Sequence, residues 1–435
     1  HVFSVMADWN PAEILGRKPG PLALSLYQTC FTDRIWTEAR QAMGYADPGP
    51  WPLMHVVGGT AYIDVAQSFR SLLPASMSPV EVNAIVTAYL RELRARPEHH
   101  DSVELKVFPS TYTATSSQAL ALLESRGVPK PFLKKLNSGL KALTRDVFSG
   151  GGHLETDLAV LNEWVIRSLV LEPVCRPTIS QFNERLSWLF HTGAPLFVRL
   201  ARCAYMAVAQ LDALVHSGKL DKTAYDAFFR SLRTVPSQLR ALDKDGWREA
   251  LGHLRPSSYD IESPCWRDRP DWMGVLNPGE PVDVPSFVLS DVHAESIQSW
   301  LDDLDWNLTA ESLFQQCARA IEGRELGKFL FSRQLSPTLE LMAGLCAEHG
   351  ISRRQLSMLS LNQLTRAFAN HLSPAAVAAL TEAAVVSERL QGELHRVALP
   401  DVLMCPDQVY GHTQSSPPAH FMGSGVIEGR PLVFE

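Results

Sequence analysis

A histidine, an arginine, a tyrosine and an aspartate crowd into Gly252-His253-Leu254-Arg255-Pro256 and Tyr259-Asp260. This is the densest polar cluster in the chain. An imidazole beside a guanidinium suits phosphoryl and proton chemistry: His takes or gives a proton near neutral pH, and Arg holds a phosphate or carboxylate through two parallel N–H bonds. The same residue types also suit a helix C-terminus, where they complement the dipole. A second cluster, Asp8-Trp9-Asn10-Pro11-Ala12-Glu13, sets two carboxylates and an amide around an indole and a rigid proline. It offers polar contacts beside an aromatic wall, but the residues alone favour a helix start, with Asn10 at the cap, Pro11 first and Glu13 third, and the two readings are compatible.

Two further groups are weaker candidates. His99-His100-Asp101 with Glu104 collects potential metal ligands, but neighbouring histidines point to different sides of a helix or strand, and no H-E-x-x-H spacing supports zinc. A polar turn is the alternative, and no metal site is expected. Arg319, Arg324, Lys328 and Arg333 make a basic helical face, either for a phosphorylated ligand or simply solvated and ion-paired. Walker A, G-x-G-x-x-G and G-x-S-x-G sequences are absent, and Ser149-Gly150-Gly151-Gly152 reads as a linker.

The elements that must position these residues are mostly helices. Capping boxes at Ser78-Pro79-Val80-Glu81 and Thr178-Ile179-Ser180-Gln181 predict helices to about Arg96 and His191. Pro195 opens a long helix to about His216, apolar over so wide an arc that it belongs at the centre. Leu154, Leu158, Leu161, Val165 and Leu169 keep helical spacing up to Pro173. Ser352 and Ser373-Pro374 mark two more starts, and 219–233, 310–333 and 338–349 are helical by pattern. Strand signals are confined to 103–108 and the text from Gly423 onward, while 257–285 reads as a long ordered loop. The expected fold is therefore mainly α, a large multi-helix domain over 1–400 with a few short strands. A short β-like segment over 401–435 would begin another domain.

Composition narrows the class. The 435 residues carry 40 Lys+Arg against 47 Asp+Glu, a net charge of −7, with 46% hydrophobic and 20% charged residues. Disorder and a disulfide scaffold are excluded, and a mildly acidic chain argues against nucleic-acid binding. Seven scattered cysteines without C-x-x-C fit buried thiols in a reducing, cytoplasmic setting. No apolar run reaches the roughly 20 residues of a membrane helix. The chain opens on His1 and stops at Pro431-Leu432-Val433-Phe434-Glu435, so both ends read as cuts in a longer protein.

Several stretches resemble the central region of phosphoenolpyruvate-synthase-like, rifampicin-phosphotransferase-like dikinases of the PEP-utilising enzyme family. They are Asp8 to Gly16, Pro21 to Tyr27 with Thr32-Asp33, Tyr62-Ile63-Asp64-Val65 with Ser68-Phe69, and His100 to Glu104. Gly252 to Pro256 with Tyr259-Asp260-Ile261, Lys328-Phe329 leading to Leu335-Ser336-Pro337, and the tail from Pro406-Asp407 to Phe421 complete the ordered set. The resemblance implies an acceptor-binding helical region followed by the start of a swivelling phosphohistidine domain. In the full-length protein an ATP-grasp domain, in cis or in trans, would use ATP and Mg; this chain would bind no cofactor itself. It implies a small-molecule acceptor, no nucleic acid and no membrane. His253 would act as base, and Asn10, Glu13, Arg255, Tyr259 and Asp260 would line the pocket. The chain departs from the family in lacking the ATP-grasp domain and the Thr-rich segment ending Ser-His-x-Ala, and His420 sits instead in Ala-His-Phe-Met. A non-catalytic helical binding or scaffold module is the alternative, and a metal-dependent hydrolase built on His99, His100, Asp101 and Glu104 is a third.

Overall fold

Local capping signals translate directly into helices. Ser78, Thr178 and Ser352 each form a reciprocal capping box, opening Pro79–Ala95, Ile179–Trp188 and Arg353–Ser357. A fourth box, at Ser360 and Gln363, opens Leu361–Ala369. The computed structural model describes residues 1–101, 107–168, 177–235, 244–269, 284–304 and 306–409. The fold is mainly α with one small antiparallel sheet. Most of the 103–108 strand candidate lies outside the described residues, as do Glu104, Pro173, Cys175, Trp272, His420 and the text from Gly423.

Two helices form the spine: Ala194–His216, as the wide apolar arc predicts, and Ala310–Ala347. They pack along each other, with His153–Ser168 against both. Leu158 packs closely over Gly323, where an added Cβ would lie 2.6 Å from its Cδ2. The patterns at 310–333 and 338–349 predicted two helices, yet a single 38-residue helix runs through Pro337. Proline removes one N–H and normally kinks or ends a helix. Here both sides of Pro337 are held: Leu335 and Leu339 are buried, the Thr338 hydroxyl donates to the Gln334 carbonyl at 2.7 Å, and Arg255 donates to the Ser336 carbonyl at 3.4 Å. Tertiary burial overrides the local signal.

The sheet fixes the N-terminus. The hairpin β2 (Met54–Val57) and β3 (Thr60–Asp64) pairs through β3 with β1 (Phe3–Ser4), and β1 pairs with β4 (Val402–Leu403), giving the order β2-β3-β1-β4. Residues 402–403 thus return to residues 3–4. Asp64 ends β3 and caps Val65–Arg70, accepting from the backbone N–H groups of Ala66 at 2.9 Å and Gln67 at 3.2 Å. Cys30, Cys203, Cys265, Cys317 and Cys346 are buried free thiols, and Cys405 is exposed. Among the described residues no helix is long and apolar enough to cross a membrane.

Candidate functional site

The helix Lys244–Leu251 ends just before the predicted cluster, so His253 and Arg255 do lie past a helix C-terminus. The returning chain closes the loop with Trp266 N–H to the Leu254 carbonyl (2.9 Å) and Arg267 N–H to the Gly252 carbonyl (3.0 Å). The loop is docked on one stripe of Ala310–Ala347: Ser332, Ser336 and Glu340 recur every four residues and face it. His253 Nε2 lies 3.1 Å from Ser332 Oγ, and the ring meets Phe329 edge-on at 5.0 Å. Arg255 donates from Nε to Ser336 Oγ (2.9 Å), from one terminal nitrogen to the Ser263 carbonyl and from the other to Glu340. Glu340 also pairs with Arg353, which donates to the Ile261 carbonyl at 3.0 Å. Every guanidinium nitrogen of Arg255 is therefore engaged by the fold. Asp260 accepts from the Glu262 N–H at 2.9 Å and shapes the turn.

His253 is 3% exposed. Burial, with the Arg333 and Arg267 charges adding to it, pushes its pKa down to about 4 against a hydrogen bond to the Ala250 carbonyl. The native imidazole is then neutral where the unfolded one, near pH 6.5, is charged. Between about pH 6.5 and pH 4 the unfolded chain binds the extra proton, so stability falls as the pH falls through that window, by up to about 3 kcal/mol. We expect His253→Leu to flatten the difference between pH 7 and pH 4.5 in urea unfolding. An unchanged slope would show that His253 protonates freely in the native state.

The N-terminal cluster has a different geometry from a standard cap. Asn10 does precede the helix Pro11–Leu15, but its side chain caps nothing; its amide nitrogen donates to the Glu13 carboxylate. Asp8, Trp9 and Asn10 all adopt the left-handed conformation, with φ of 41°, 45° and 36°. Consecutive non-glycine residues there cost roughly 1–2 kcal/mol each and persist only when the surroundings over-determine them. Asp8 supplies one hold, accepting from Arg40 at 2.8 and 2.9 Å and from Ser68 at 2.7 Å. The Tyr27 hydroxyl supplies another, donating to the Trp9 carbonyl at 2.7 Å. Trp9 Nε1 and Asn10 Oδ1 are buried and have no hydrogen-bond partner. A water or a ligand group would complete each of them, as it would the other buried unpaired atoms among the described residues, such as Trp36 Nε1 and Tyr89 Oη.

These two atoms adjoin a connected aromatic group. Trp9 stacks on Phe31 at 5.1 Å and meets Phe197 edge-on at 6.1 Å, and Phe331 reaches Phe31 at 5.5 Å and Phe197 at 6.1 Å. Tyr27 joins Phe31 at 5.2 Å and Tyr259 at 5.3 Å. Tyr259 thus links the 252–269 loop to the N-terminal cluster, and burial holds its phenol well above the ordinary tyrosine range. Two π-helical turns, Gln28–Thr32 and Leu189–Gly193, flank the group, and such turns recur at functional sites. The second turn needs glycine at 193, because a Cβ there would meet Trp188 at 2.6 Å and Phe331 at 3.1 Å.

The structure therefore brings Asn10, Glu13 and Tyr259 to one region around Trp9. His253, Arg255 and Asp260 belong to the loop on the long helix. Phe31, Phe197 and Phe331 sit on apolar helical text, where nothing in the sequence separates a site wall from ordinary core. Among the other candidates, His100 Nδ1 lies 3.2 Å from Ser4 Oγ, and the described residues hold no group of three His, Cys, Asp or Glu arranged for a metal. On the basic face Arg324 pairs with Glu325 and Arg319 donates to Gln316. No known family model matches the chain, and no curated protein matches it.

Proposed function

We propose that the chain is the acceptor-binding helical domain of a PEP-synthase-like ATP-dependent phosphotransferase. Its part is to hold a small molecule while a phosphohistidine from a swivelling domain delivers phosphate to it. The observation that carries the reading is the Trp9 region: an aromatic wall beside a buried donor and a buried acceptor, neither satisfied, on backbone strained to present them. An open N–H and an open carbonyl oxygen on neighbouring residues suit a neutral group that both accepts and donates, such as a hydroxyl. In the transfer the N–P bond of the phosphohistidine breaks, a P–O bond to the acceptor forms, and the hydroxyl proton leaves. His253 and the Ser332 hydroxyl, 3.1 Å apart, lie where the loop meets the long helix and not beside Trp9; in this reading His253 would take the proton through that hydroxyl. Asn10, Glu13 and Tyr259 would contact the acceptor; Arg255 and Asp260 would hold the loop. ATP and Mg would act in an ATP-grasp domain, not on these residues.

The test follows ATP consumption by the protein translated from its complete reading frame, against a panel of hydroxyl-bearing small molecules. AMP and phosphate should appear together, only with an accepted ligand, and Trp9→Ala should raise the KM for that ligand roughly tenfold. ADP as the nucleotide product, or AMP release indifferent to every ligand and to Trp9→Ala, would overturn the reading. The burial of His253 and the full engagement of Arg255 favour a second reading, a non-catalytic helical ligand-binding module. Ligand binding without any phosphoryl transfer would select it.

A further inference from the structure

We propose that Ser290, His293 and Asp221 form a second site, a nucleophile–base–carboxylate triad that takes an acyl group from a neutral ester and passes it to water. The site lies on elements that carry none of the Trp9-region residues, and it does not depend on the phosphotransferase reading.

Two helix starts bring the three side chains together. Ser290 caps the helix Asp291–Asp302, its hydroxyl oxygen accepting from the backbone N–H of His293 at 3.4 Å. Asp221 caps Lys222–Arg230, its Oδ1 accepting from the Ala224 N–H at 2.7 Å. The His293 imidazole spans the gap between the two caps: Nδ1 lies 2.9 Å from Ser290 Oγ, and Nε2 lies 3.3 Å from Asp221 Oδ2. Neither cap needs that bridge. A carboxylate only accepts, so the neutral ring carries its proton on Nε2 and turns the Nδ1 lone pair to the serine hydroxyl. That is the tautomer a general base requires, and the flanking groups that orient the ring are themselves fixed by their helices. Ser290 is exposed, and the His293 and Asp221 side chains are 20% and 60% exposed, so a substrate reaches the site from solvent.

In the acylation step Ser290 Oγ attacks the ester carbonyl carbon, and its proton passes to His293 Nδ1. Asp221 faces the imidazolium so formed and acts as a positioning residue. The carbonyl oxygen takes up the negative charge at the start of Asp291–Asp302, where the cap uses the N–H of His293 and leaves those of Asp291 and Val292. The C–O bond to the alcohol then breaks as His293 returns the proton to the departing oxygen. Water next attacks the acyl carbon and gives its proton to His293, which passes it to Ser290 Oγ as the carboxylic acid leaves. Two features select the substrate. Val288 and Val292, two residues either side of Ser290, are 82% and 76% exposed, more than any other large apolar residue described, and they favour an apolar acyl group. Asp221 and Asp291 add negative charge and disfavour an anionic one.

A neutral fluorophosphonate tests the site without ATP or any partner domain, since Ser290 Oγ would displace its fluoride while His293 takes the proton. Peptide mapping should find the label on Ser290 and not on Ser373, an exposed serine that caps Pro374–Leu394 and whose hydroxyl meets no imidazole among the described residues. Labelling should slow roughly 100-fold in His293→Gln, which removes the base. It should slow at least about tenfold in Asp221→Asn, which keeps the helix cap and loses the charge. Release of p-nitrophenol from p-nitrophenyl butyrate should fall in the same order and drop to the background rate in Ser290→Asn, which also keeps its cap. Nitrogen NMR of the parent should show neutral His293 protonated on Nε2, a signature that a purely structural cap does not require. The proposal is overturned if Ser290 labels no faster than Ser373, if His293→Gln and Asp221→Asn label like the parent, or if the His293 proton sits on Nδ1.

Discussion

Asp8→Asn should cost about 3–5 kcal/mol of stability in urea unfolding, one of the largest single losses in the chain. The Arg40 and Asp8 side chains are 5% and 8% exposed, and removing the carboxylate charge leaves a buried guanidinium without its counter-charge. Burial opposes ionisation of Asp8, but the Arg40 charge and the hydrogen bonds from Arg40 and Ser68 outweigh it and hold the carboxyl below its ordinary range. A depressed carboxylate stabilises the fold above its unfolded pKa and loses that contribution as the pH falls through the folded value. The gap between wild type and Asp8→Asn is therefore widest above about pH 4 and closes in acid. Arg40→Met should cost a similar amount. The double variant Asp8→Asn, Arg40→Met should cost less than the sum, since neither partner is then left unpaired. Additive losses would show that the two side chains do not act as a pair. The effect reaches function because this pair holds the left-handed run at Asp8, Trp9 and Asn10. With it gone, the strain relaxes and Trp9 leaves Phe31, so ligand affinity should fall even under conditions where the variant stays folded.

Local chemistry was legible in the sequence and long-range chemistry was not. The capping boxes at Ser78, Thr178 and Ser352 depend on residues three apart and formed as read. The long helix through Pro337 was missed because what keeps it intact lies elsewhere in the chain, in Arg255 and the buried flanks of the proline. At Asn10 the position of the helix start was right, but the conformation was not. The left-handed run is imposed by Arg40, Ser68 and Tyr27, none of which the local motif contains. The aromatic group shows the same limit: Phe31, Phe197 and Phe331 come from three distant segments, each an ordinary apolar helix by pattern.

Arg255→Ala provides the sharpest test of what the polar cluster does. From residue type alone Arg255 was the anion holder, and its loss should then spare stability and abolish binding. The geometry gives the opposite order. Its partners Ser336 and Glu340 lie 81 and 85 residues further along the chain, so Arg255 is the staple between the loop and the long helix. Its own side chain is 1% exposed, but Glu340 is 37% exposed and solvent screens that half of the pair. We therefore expect a loss of about 2–4 kcal/mol, below the full cost of breaking a wholly buried pair. Arg255→Lys should recover little of it, since one ammonium cannot meet Ser336 Oγ, the Ser263 carbonyl and Glu340 together. Hydrogen exchange should locate the damage: amides of Trp266 and Arg267, whose bonds to Leu254 and Gly252 close the loop, should lose protection first, before the spine helices. Unchanged protection there would mean that the loop holds without the staple.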